Sequence, residues 1–228
     1  MNLTISPNST TALKICGITK IEQALKIASF GVNAIGVIGV ESSPRFVNEV
    51  QRRKIFEALI NSKLNIDRVL VVADINDSDL NEILNSTSYP SIIQLHGNES
   101  PKRCEDLKKK YPMFKWWKAF RLQKKESLSI IKKYETSVDA FLLDTWSKNK
   151  LGGTGQRLPI EWLQNAEFNI PWWLAGGMSK DSISEVLSNL NPYGIDASSK
   201  LEHSPGIKDI EKVKALINEI LIMNTNIK

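Results

Sequence analysis

The sequence ALKICGITKIEQALKIA, residues 12–28, holds the first unit of the pattern that decides the fold. Residues 12–16 form a short apolar run that is typical of a β-strand, and Cys16-Gly17-Ile18-Thr19 is predicted to be a turn. From about Lys20 onward, apolar residues recur at helical spacing along one stripe. The turn lacks the Gly-x-Gly-x-x-Gly pattern of open dinucleotide-binding sheets, so this unit favours a different α/β architecture.

The same strand-then-helix unit is repeated along the whole chain. Predicted strands cover residues 12–16, 34–39, 68–73, 91–95, 115–120, 138–143, 171–175 and 193–197, and predicted helices begin near residues 20, 47, 77, 100, 125, 160, 180 and 207. Thr19, the acidic stretch from Asp77 and Ser179 are the expected helix N-terminal signals. Eight such units pair in parallel through right-handed crossovers, which predicts a closed (β/α)8 TIM barrel of the α/β class.

The length and composition fit one catalytic domain. The chain has 228 residues, of which 42% are apolar and 24% charged, so a large core can form without disulfides. We expect a flexible N-terminal extension at residues 1–12, the barrel at residues 13–222 and a loose tail at residues 223–228. Each of two tryptophan pairs, at residues 116–117 and 172–173, is predicted to direct one ring into the barrel and the other toward the helices.

Charge and cysteine content narrow the class of protein. The net charge is +5, but the lysine groups fall in polar helical stretches without interleaved aromatic residues, so we expect solvated helix faces and no nucleic-acid partner. No apolar run approaches the ~20 residues of a membrane span, and no signal peptide is evident, which predicts a cytoplasmic protein without a membrane partner. Cys16 and Cys104 are expected to be reduced, and two unclustered histidines predict no metal site.

Two ionisable residues stand where a barrel of this kind carries its chemistry, at the carboxyl ends of strands. Cys16 ends the first predicted strand and shares a face with Lys14; Asp144 follows the apolar end of the sixth. Each also has an ordinary interpretation, because cysteine is often a buried apolar residue and aspartate often caps a turn. Their position makes them candidates for one pocket.

Other strand ends carry residues suited to an anionic ligand. Glycine-rich turns that include Gly153 and Gly176-Gly177, with Ser198-Ser199 after the eighth strand, are the candidates for phosphate binding through backbone N–H groups. Arg45, after the second strand, is a candidate for gripping a carboxylate, or else a surface ion pair. Gln94 and His96 end the fourth strand and Asp196 lies in the eighth; these three are the candidates for other substrate contacts.

Taken together in this order, the strand-end segments resemble the phosphoribosylanthranilate isomerases of tryptophan biosynthesis over residues 13 to about 209. The segments that carry the resemblance are KICGIT (14–19), QLHG (94–97), LLDT (142–145), GGTG (152–155), AGG (175–177), IDASS (195–199), LE (201–202) and PG (205–206). One departure is the second strand, where Gly36-Val37-Ile38 lacks the family's usual aromatic residue.

The resemblance implies a cofactor-free Amadori rearrangement of a phosphorylated small molecule. It implies that Asp144 is the general acid and Cys16 the general base, that Arg45 lies near the anthranilate carboxylate, and that the two later turns bind phosphate. Acid–base chemistry of this kind requires a pKa lowered for Cys16 and raised for Asp144. We expect a monomer or a homodimer.

Two alternatives remain at this point. The chain could be another sugar-phosphate barrel enzyme, such as an epimerase or an indole-glycerol phosphate synthase. However, an epimerase would need more histidines and acids for a metal, and a synthase would need a catalytic lysine with glutamates at strand ends. A non-catalytic barrel that binds a phosphometabolite or a nucleic acid is the second alternative, and only the basic charge supports it.

Overall fold

The computed structural model describes residues 11–125, 128–145 and 159–226, and its centre is a closed barrel of eight parallel strands. The strands are β1 (Ala12–Ile15), β2 (Ala34–Ile38), β3 (Asp67–Val72), β4 (Ile92–Leu95), β5 (Lys115–Leu122), β6 (Ala140–Thr145), β7 (Trp172–Leu174) and β8 (Gly194–Ala197). Each strand pairs with its neighbour in sequence, and β1 closes the ring against β8. The predicted barrel is confirmed, with strand ends displaced by two residues at most.

Helices follow the strands around the outside of the barrel. They are α1 (Ile21–Ala28), α2 (Glu49–Asn61), α3 (Asp77–Leu84), α4 (Pro101–Lys110), α5 (Leu128–Ile131), α6 (Ile160–Leu163), α7 (Lys180–Asn189) and α8 (Ile210–Asn226). Within the described ranges, no helix is long and apolar enough to cross a membrane. The last helix continues past residue 223, where the sequence predicted a loose tail, because its apolar stripe extends to Met223 on the core.

Helix capping agrees with the sequence at α7 and differs at α1. Ser179 precedes α7, and its backbone N–H donates to Ser182 Oγ at 2.9 Å. The prediction of Thr19 as the cap of α1 is wrong: Lys20 holds that position, and the Thr19 hydroxyl donates to the Gly206 carbonyl at 2.7 Å. A distant loop therefore takes the hydroxyl that a local cap would have used.

Side chains alternate along each strand between the barrel interior and the helix layer. The interior is filled largely by alanines around Trp117 and Trp173, whose ring centroids lie 4.7 Å apart. Their neighbours Trp116 and Trp172 face the helices, as predicted for both pairs. Since the two large rings close the lower part of the barrel, polar interior side chains are left to its carboxyl end.

A short antiparallel hairpin, which the sequence did not predict, separates the barrel from the last helix. Its strands are β9 (Glu202–Ser204) and β10 (Ile207–Lys208). The eighth helix was predicted to begin near residue 207, but it begins at Ile210 because the hairpin occupies the preceding residues. The hairpin places Glu202 and Lys208 beside the carboxyl end of β8.

Candidate active site

A cavity of about 750 Å³, solvent at its mouth included, opens at the carboxyl ends of the barrel strands. It is bordered by every predicted site residue that the structure describes: Cys16, Arg45, Gln94, His96, Asp144, Gly176, Gly177, Asp196, Ser198 and Ser199. Gly153, the remaining predicted phosphate residue, lies outside the described residues. Ile38, Val40, Val71 and Met178 add an apolar wall, so the missing aromatic residue of the second strand is replaced by an aliphatic surface.

Cys16 and Asp144 reach this cavity because they continue the inward-facing set of their strands. Cys16 follows Ala12 and Lys14 on alternate positions of β1, and Asp144 follows Leu142 in β6. Both residues are buried, with 6% of each exposed. The thiol and the carboxyl group therefore border one sheltered volume, although they come from opposite sides of the barrel.

The expected lowering of the Cys16 pKa is wrong for this structure. Burial raises the pKa of the thiol above its ordinary value of 9.0, and Asp196 raises it further. Lys14 and, less strongly, Lys208 act in the opposite direction without reversing the shift. Desolvation decides the direction, because a dry pocket penalises the charged thiolate more than the nearby lysines stabilise it.

His96 and Gln94 present one donor and one acceptor to the same cavity. The Gln94 amide donates to His96 Nδ1 at 3.3 Å, so the neutral ring carries its proton on Nε2. Burial, with the positive charges of Arg121, Lys118 and Lys14, lowers the pKa of His96 to about 3. Among the described residues, His96 Nε2 and Gln94 Oε1 are buried without a hydrogen-bond partner, which suits them to a ligand hydroxyl.

Arg45 is held by the hairpin at the edge of the cavity. Its Nε and Nη2 atoms donate to the Glu202 carboxylate, the shortest contact being 2.6 Å. Lys208 Nζ donates to the same carboxylate at 2.7 Å and to Ser198 Oγ at 3.3 Å. Arg45 is thus fixed in a buried ion pair, and its third nitrogen, Nη1, takes no part in the described hydrogen bonds to Glu202.

The glycine turns bring backbone groups to the far end of the cavity. Gly176 and Gly177 adopt φ angles of 89° and 69°, which side-chain-bearing residues rarely adopt, directly before α7. The Ser198 hydroxyl donates to the Cys16 carbonyl at 3.0 Å, so it stabilises the turn that follows β1. Lys200, which the sequence analysis did not select, adds a positive charge beside these turns.

Three buried ionic residues near the site were also missed as functional candidates. Lys14 pairs with Asp196 at 3.0 Å, and Glu202 pairs with Arg45 and Lys208. Of these, only Lys14 could have been selected from the strand pattern of the sequence, because it shares the inward face of the first strand with Cys16. No cluster of three or more His, Cys, Asp or Glu residues suited to a metal ion occurs in the described parts of the chain.

The fold and the cavity define a class: a (β/α)8-barrel enzyme whose strand ends combine an acid, a thiol and glycine turns. The model of the family N-(5'phosphoribosyl)anthranilate (PRA) isomerase matches residues 13–219. The N-(5'-phosphoribosyl)anthranilate isomerase of Rippkaea orientalis is 40% identical over 210 residues, covering 91% of this chain and 95% of that protein. The chain therefore belongs to the N-(5'-phosphoribosyl)anthranilate isomerase family.

Solved structures agree with this assignment. The phosphoribosyl anthranilate isomerase of Thermus thermophilus has a TM-score of 0.78 and 28% identity, over 93% of this chain and 100% of that one. Another, solved in complex with reduced 1-(o-carboxyphenylamino)-1-deoxyribulose 5-phosphate, has a TM-score of 0.77 and 23% identity, over 92% and 98% of the two chains. The latter likeness supports the barrel fold.

Proposed function

We propose that this cavity isomerises N-(5'-phosphoribosyl)anthranilate, with Asp144 as general acid and Cys16 as general base. The observation that carries the proposal is the meeting of a buried carboxyl group and a buried thiol at one cavity. The apolar wall of that cavity suits an aromatic ring, and its glycine and serine turns suit a phosphate. The family membership supplies the reaction that uses all three features.

Ring opening is the step assigned to Asp144. Its carboxylic proton passes to the ribose ring oxygen as the bond from that oxygen to C1′ breaks, and the anthranilate nitrogen lone pair forms the C1′=N iminium. The acid must therefore hold a proton before the step, which requires a raised pKa; that expectation for Asp144 remains a prediction. Asp144 is buried at the edge of the cavity, where a bound substrate can be sheltered from water.

Enolisation is the step assigned to Cys16. The iminium acidifies the C2′ hydrogen, the thiolate removes it, and the electron pair moves to make an enamine with C1′. The C2′ hydroxyl then loses its proton to water and becomes the ketone, while C1′ takes up a proton from water. The Cys16 thiol releases one proton to water and the Asp144 carboxylate regains one, so atoms and charge balance. The raised pKa of the resting thiol makes formation of the thiolate the demanding part of this step.

The remaining residues are proposed to bind the substrate at three places. Backbone N–H groups at Gly176, Gly177, Ser198 and Ser199, together with the turn that contains Gly153, hold the phosphate, with Lys200 as an added cation. Arg45 faces the anthranilate carboxylate through Nη1. The donor–acceptor pair of Gln94 and His96 and the carboxylate of Asp196 bind sugar hydroxyls.

The test follows the loss of anthranilate-type fluorescence when phosphoribosylanthranilate is added. Cys16→Ala and Asp144→Asn should each lower kcat by about 10²–10⁴-fold. Cys104→Ala in α4 and Asp139→Asn at the opposite end of β6 are matched controls that should keep activity. An inactive wild-type protein, or full activity in both site variants, would refute the proposal.

Further properties concern the domain, the location and the partners of the enzyme. We propose that residues 13–222 make up the catalytic domain, that no cofactor takes part, and that the enzyme acts in the cytoplasm on a phosphorylated small molecule. Nucleic acid and membrane are not expected as partners. A monomer or a homodimer is expected, and light scattering coupled to size-exclusion chromatography distinguishes the two.

A further inference from the structure

Lys14 is a buried lysine that the proposed mechanism leaves without a task. Its side chain is 0% exposed, and its Nζ atom lies 3.0 Å from Asp196 Oδ1. The pairing of β1 with β8 sets Lys14 directly opposite Asp196 in the sheet. An ammonium buried this deeply in a barrel is costly, so the fold maintains it with a designated partner.

Lys14 also faces the thiol of Cys16, two residues along the same inward side of the strand. Gly36 of the neighbouring strand leaves the space in which the two side chains meet. The point where a Cβ atom at Gly36 would stand is 2.7 Å from Cys16 Sγ and 3.0 Å from Lys14 Cε. Since both atoms lie within 3.0 Å of that one point, the end of the lysine side chain and the sulfur are close neighbours.

The charges around Cys16 give Lys14 a distinct role. Burial raises the pKa of the thiol, and the strongest opposing influence is the positive charge of Lys14; Asp196 then raises this pKa and Lys208 lowers it. Burial also disfavours the ammonium of Lys14, but Asp196 and Cys16 more than compensate and raise its pKa. Asp196 thus favours the charged form of Lys14, which is the form that acts on the thiol. The other ionisable side chains bordering this cavity are those of Arg45, His96, Asp144 and Lys200.

We propose that Lys14 is a positioning residue for the general base: its ammonium stabilises the Cys16 thiolate, and Asp196 holds that ammonium in place. This inference rests on the proposed isomerase function. When the thiol ionises, its proton passes to water and the thiolate remains beside the ammonium. The thiolate then accepts the C2′ proton of the substrate and becomes a neutral thiol, while Lys14 keeps its protons throughout.

Removing either member of the Lys14–Asp196 ion pair should shift the titration of Cys16, and the two shifts should have opposite directions. Removing Lys14 removes a stabilising charge, so Lys14→Met should move the thiol titration about 1–3 pH units upward. Removing the negative charge in Asp196→Asn should move it downward, because Asp196 opposes ionisation. An ion pair that does not act on the thiol would leave its titration unchanged when either member is removed, and the pH dependence of turnover then shows whether the shift matters for the reaction.

The experiment titrates the thiolate by its ultraviolet absorbance in a Cys104→Ala background, so that Cys16 is the only cysteine in the chain. The spectrum of Cys16→Ser in the same background is subtracted to remove tyrosine ionisation. Lys14→Arg, which keeps the charge, should hold the titration closer to wild type than Lys14→Met does. No substrate is needed, so this measurement is independent of turnover.

Lys14→Met leaves Asp196 buried without its partner and could unfold the protein. A comparison of Asp196→Asn with the double variant avoids this problem, because neither protein holds an unpaired carboxylate at position 196. Lys14→Met/Asp196→Asn carries neither charge, and its titration should lie above that of Asp196→Asn alone. The acidic limb of the kcat/KM profile should move upward with the thiol titration in Lys14→Met. Its activity at neutral pH should fall about tenfold or more and recover at alkaline pH.

The outcomes separate the two proposals. Equal titrations for Asp196→Asn and the double variant would overturn the role of Lys14, even in an active isomerase. If the wild-type protein has no isomerase activity but the Lys14 and Asp196 variants still shift the titration of Cys16, the proposed function is overturned. The coupling of Lys14 to Cys16 is then supported.

Discussion

Gly36→Ala tests whether the placement of the thiol, rather than its mere presence, sets the rate. The new Cβ atom would stand 2.7 Å from Cys16 Sγ, 3.0 Å from Lys14 Cε and 3.1 Å from Cys16 Cα. Ordinary contact begins at 3.4 Å, so the sulfur must retreat by about 0.7 Å, or β1 and β2 must separate. The backbone contact means that a rotation of the thiol alone does not relieve the crowding.

A displacement of this size has a predictable effect on rate and stability. Misplacing a reacting group by about 1 Å can cost 10²-fold, so we expect kcat to fall about 10- to 100-fold. Overpacking an interior position costs about 1–3 kcal/mol of unfolding free energy, which corresponds to a fall in Tm of roughly 2–12 °C for a chain of this size. The fluorescence assay and thermal unfolding by circular dichroism measure the two effects separately.

Gly39→Ala is the matched control, because it adds the same methyl group three residues further along. Its Cβ atom would meet Arg52 Nη1 and Leu70 Cδ1 at 3.2 Å, neighbours that lie away from the thiol. We expect a modest loss of stability and a kcat within about twofold of wild type. If Gly36→Ala also keeps its kcat within twofold, the inference that crowding at Gly36 displaces the base is wrong.

Three further predictions concern stability. Glu202→Gln should weaken the loss of stability at acid pH. Burial raises the pKa of Glu202, but Arg45 and Lys208 outweigh it and lower that pKa, so the carboxylate's contribution to the free energy of unfolding is complete above its ordinary value of 4.5 and disappears as the pH falls through the folded value. Urea unfolding from pH 7 to 3 measures this. Lys118→Met should cost about 3–5 kcal/mol because it strands Glu99, 3.1 Å away, and Lys118→Met/Glu99→Gln should recover much of that in the same assay. Trp117→Ala should cost about 3–5 kcal/mol by emptying the barrel interior, seen as a lower Tm.

The barrel and the cavity-lining residues could be predicted from the sequence because both depend on short-range periodicity. The alternation of strands and helices fixes the closed sheet, and the two-residue repeat of each strand directs Cys16, Gln94, Asp144 and Asp196 to one face. Such rules need no knowledge of partners in the fold. They also predicted that one tryptophan of each pair fills the interior, and the structure shows that these are Trp117 and Trp173.

What the sequence could not provide depends on contacts between residues far apart in the chain. Thr19 reads as a helix cap, yet Gly206, 187 positions away, takes its hydroxyl. For Arg45 the sequence left open an anion clamp or a surface ion pair; it could not show that the pair is buried or that the partner is Glu202 of the hairpin, 157 positions away. The pKa of Cys16 was misjudged for the same reason, because burial is a property of the assembled barrel and not of the local sequence.

The two buried lysines near Cys16 differ in a way that bears on how a high-pKa thiol can serve as a base. Burial dominates at Lys208 and lowers its pKa, since its partner Glu202 is shared with Arg45. Among the described contacts, Asp196 accepts from Lys14 and from no second cation, and together with Cys16 it raises the pKa of Lys14. As the pH rises, Lys208 therefore loses its proton before Lys14 does. Of the two ammonium groups near Cys16, the one that persists to higher pH is the one on β1, the strand that leads to the thiol.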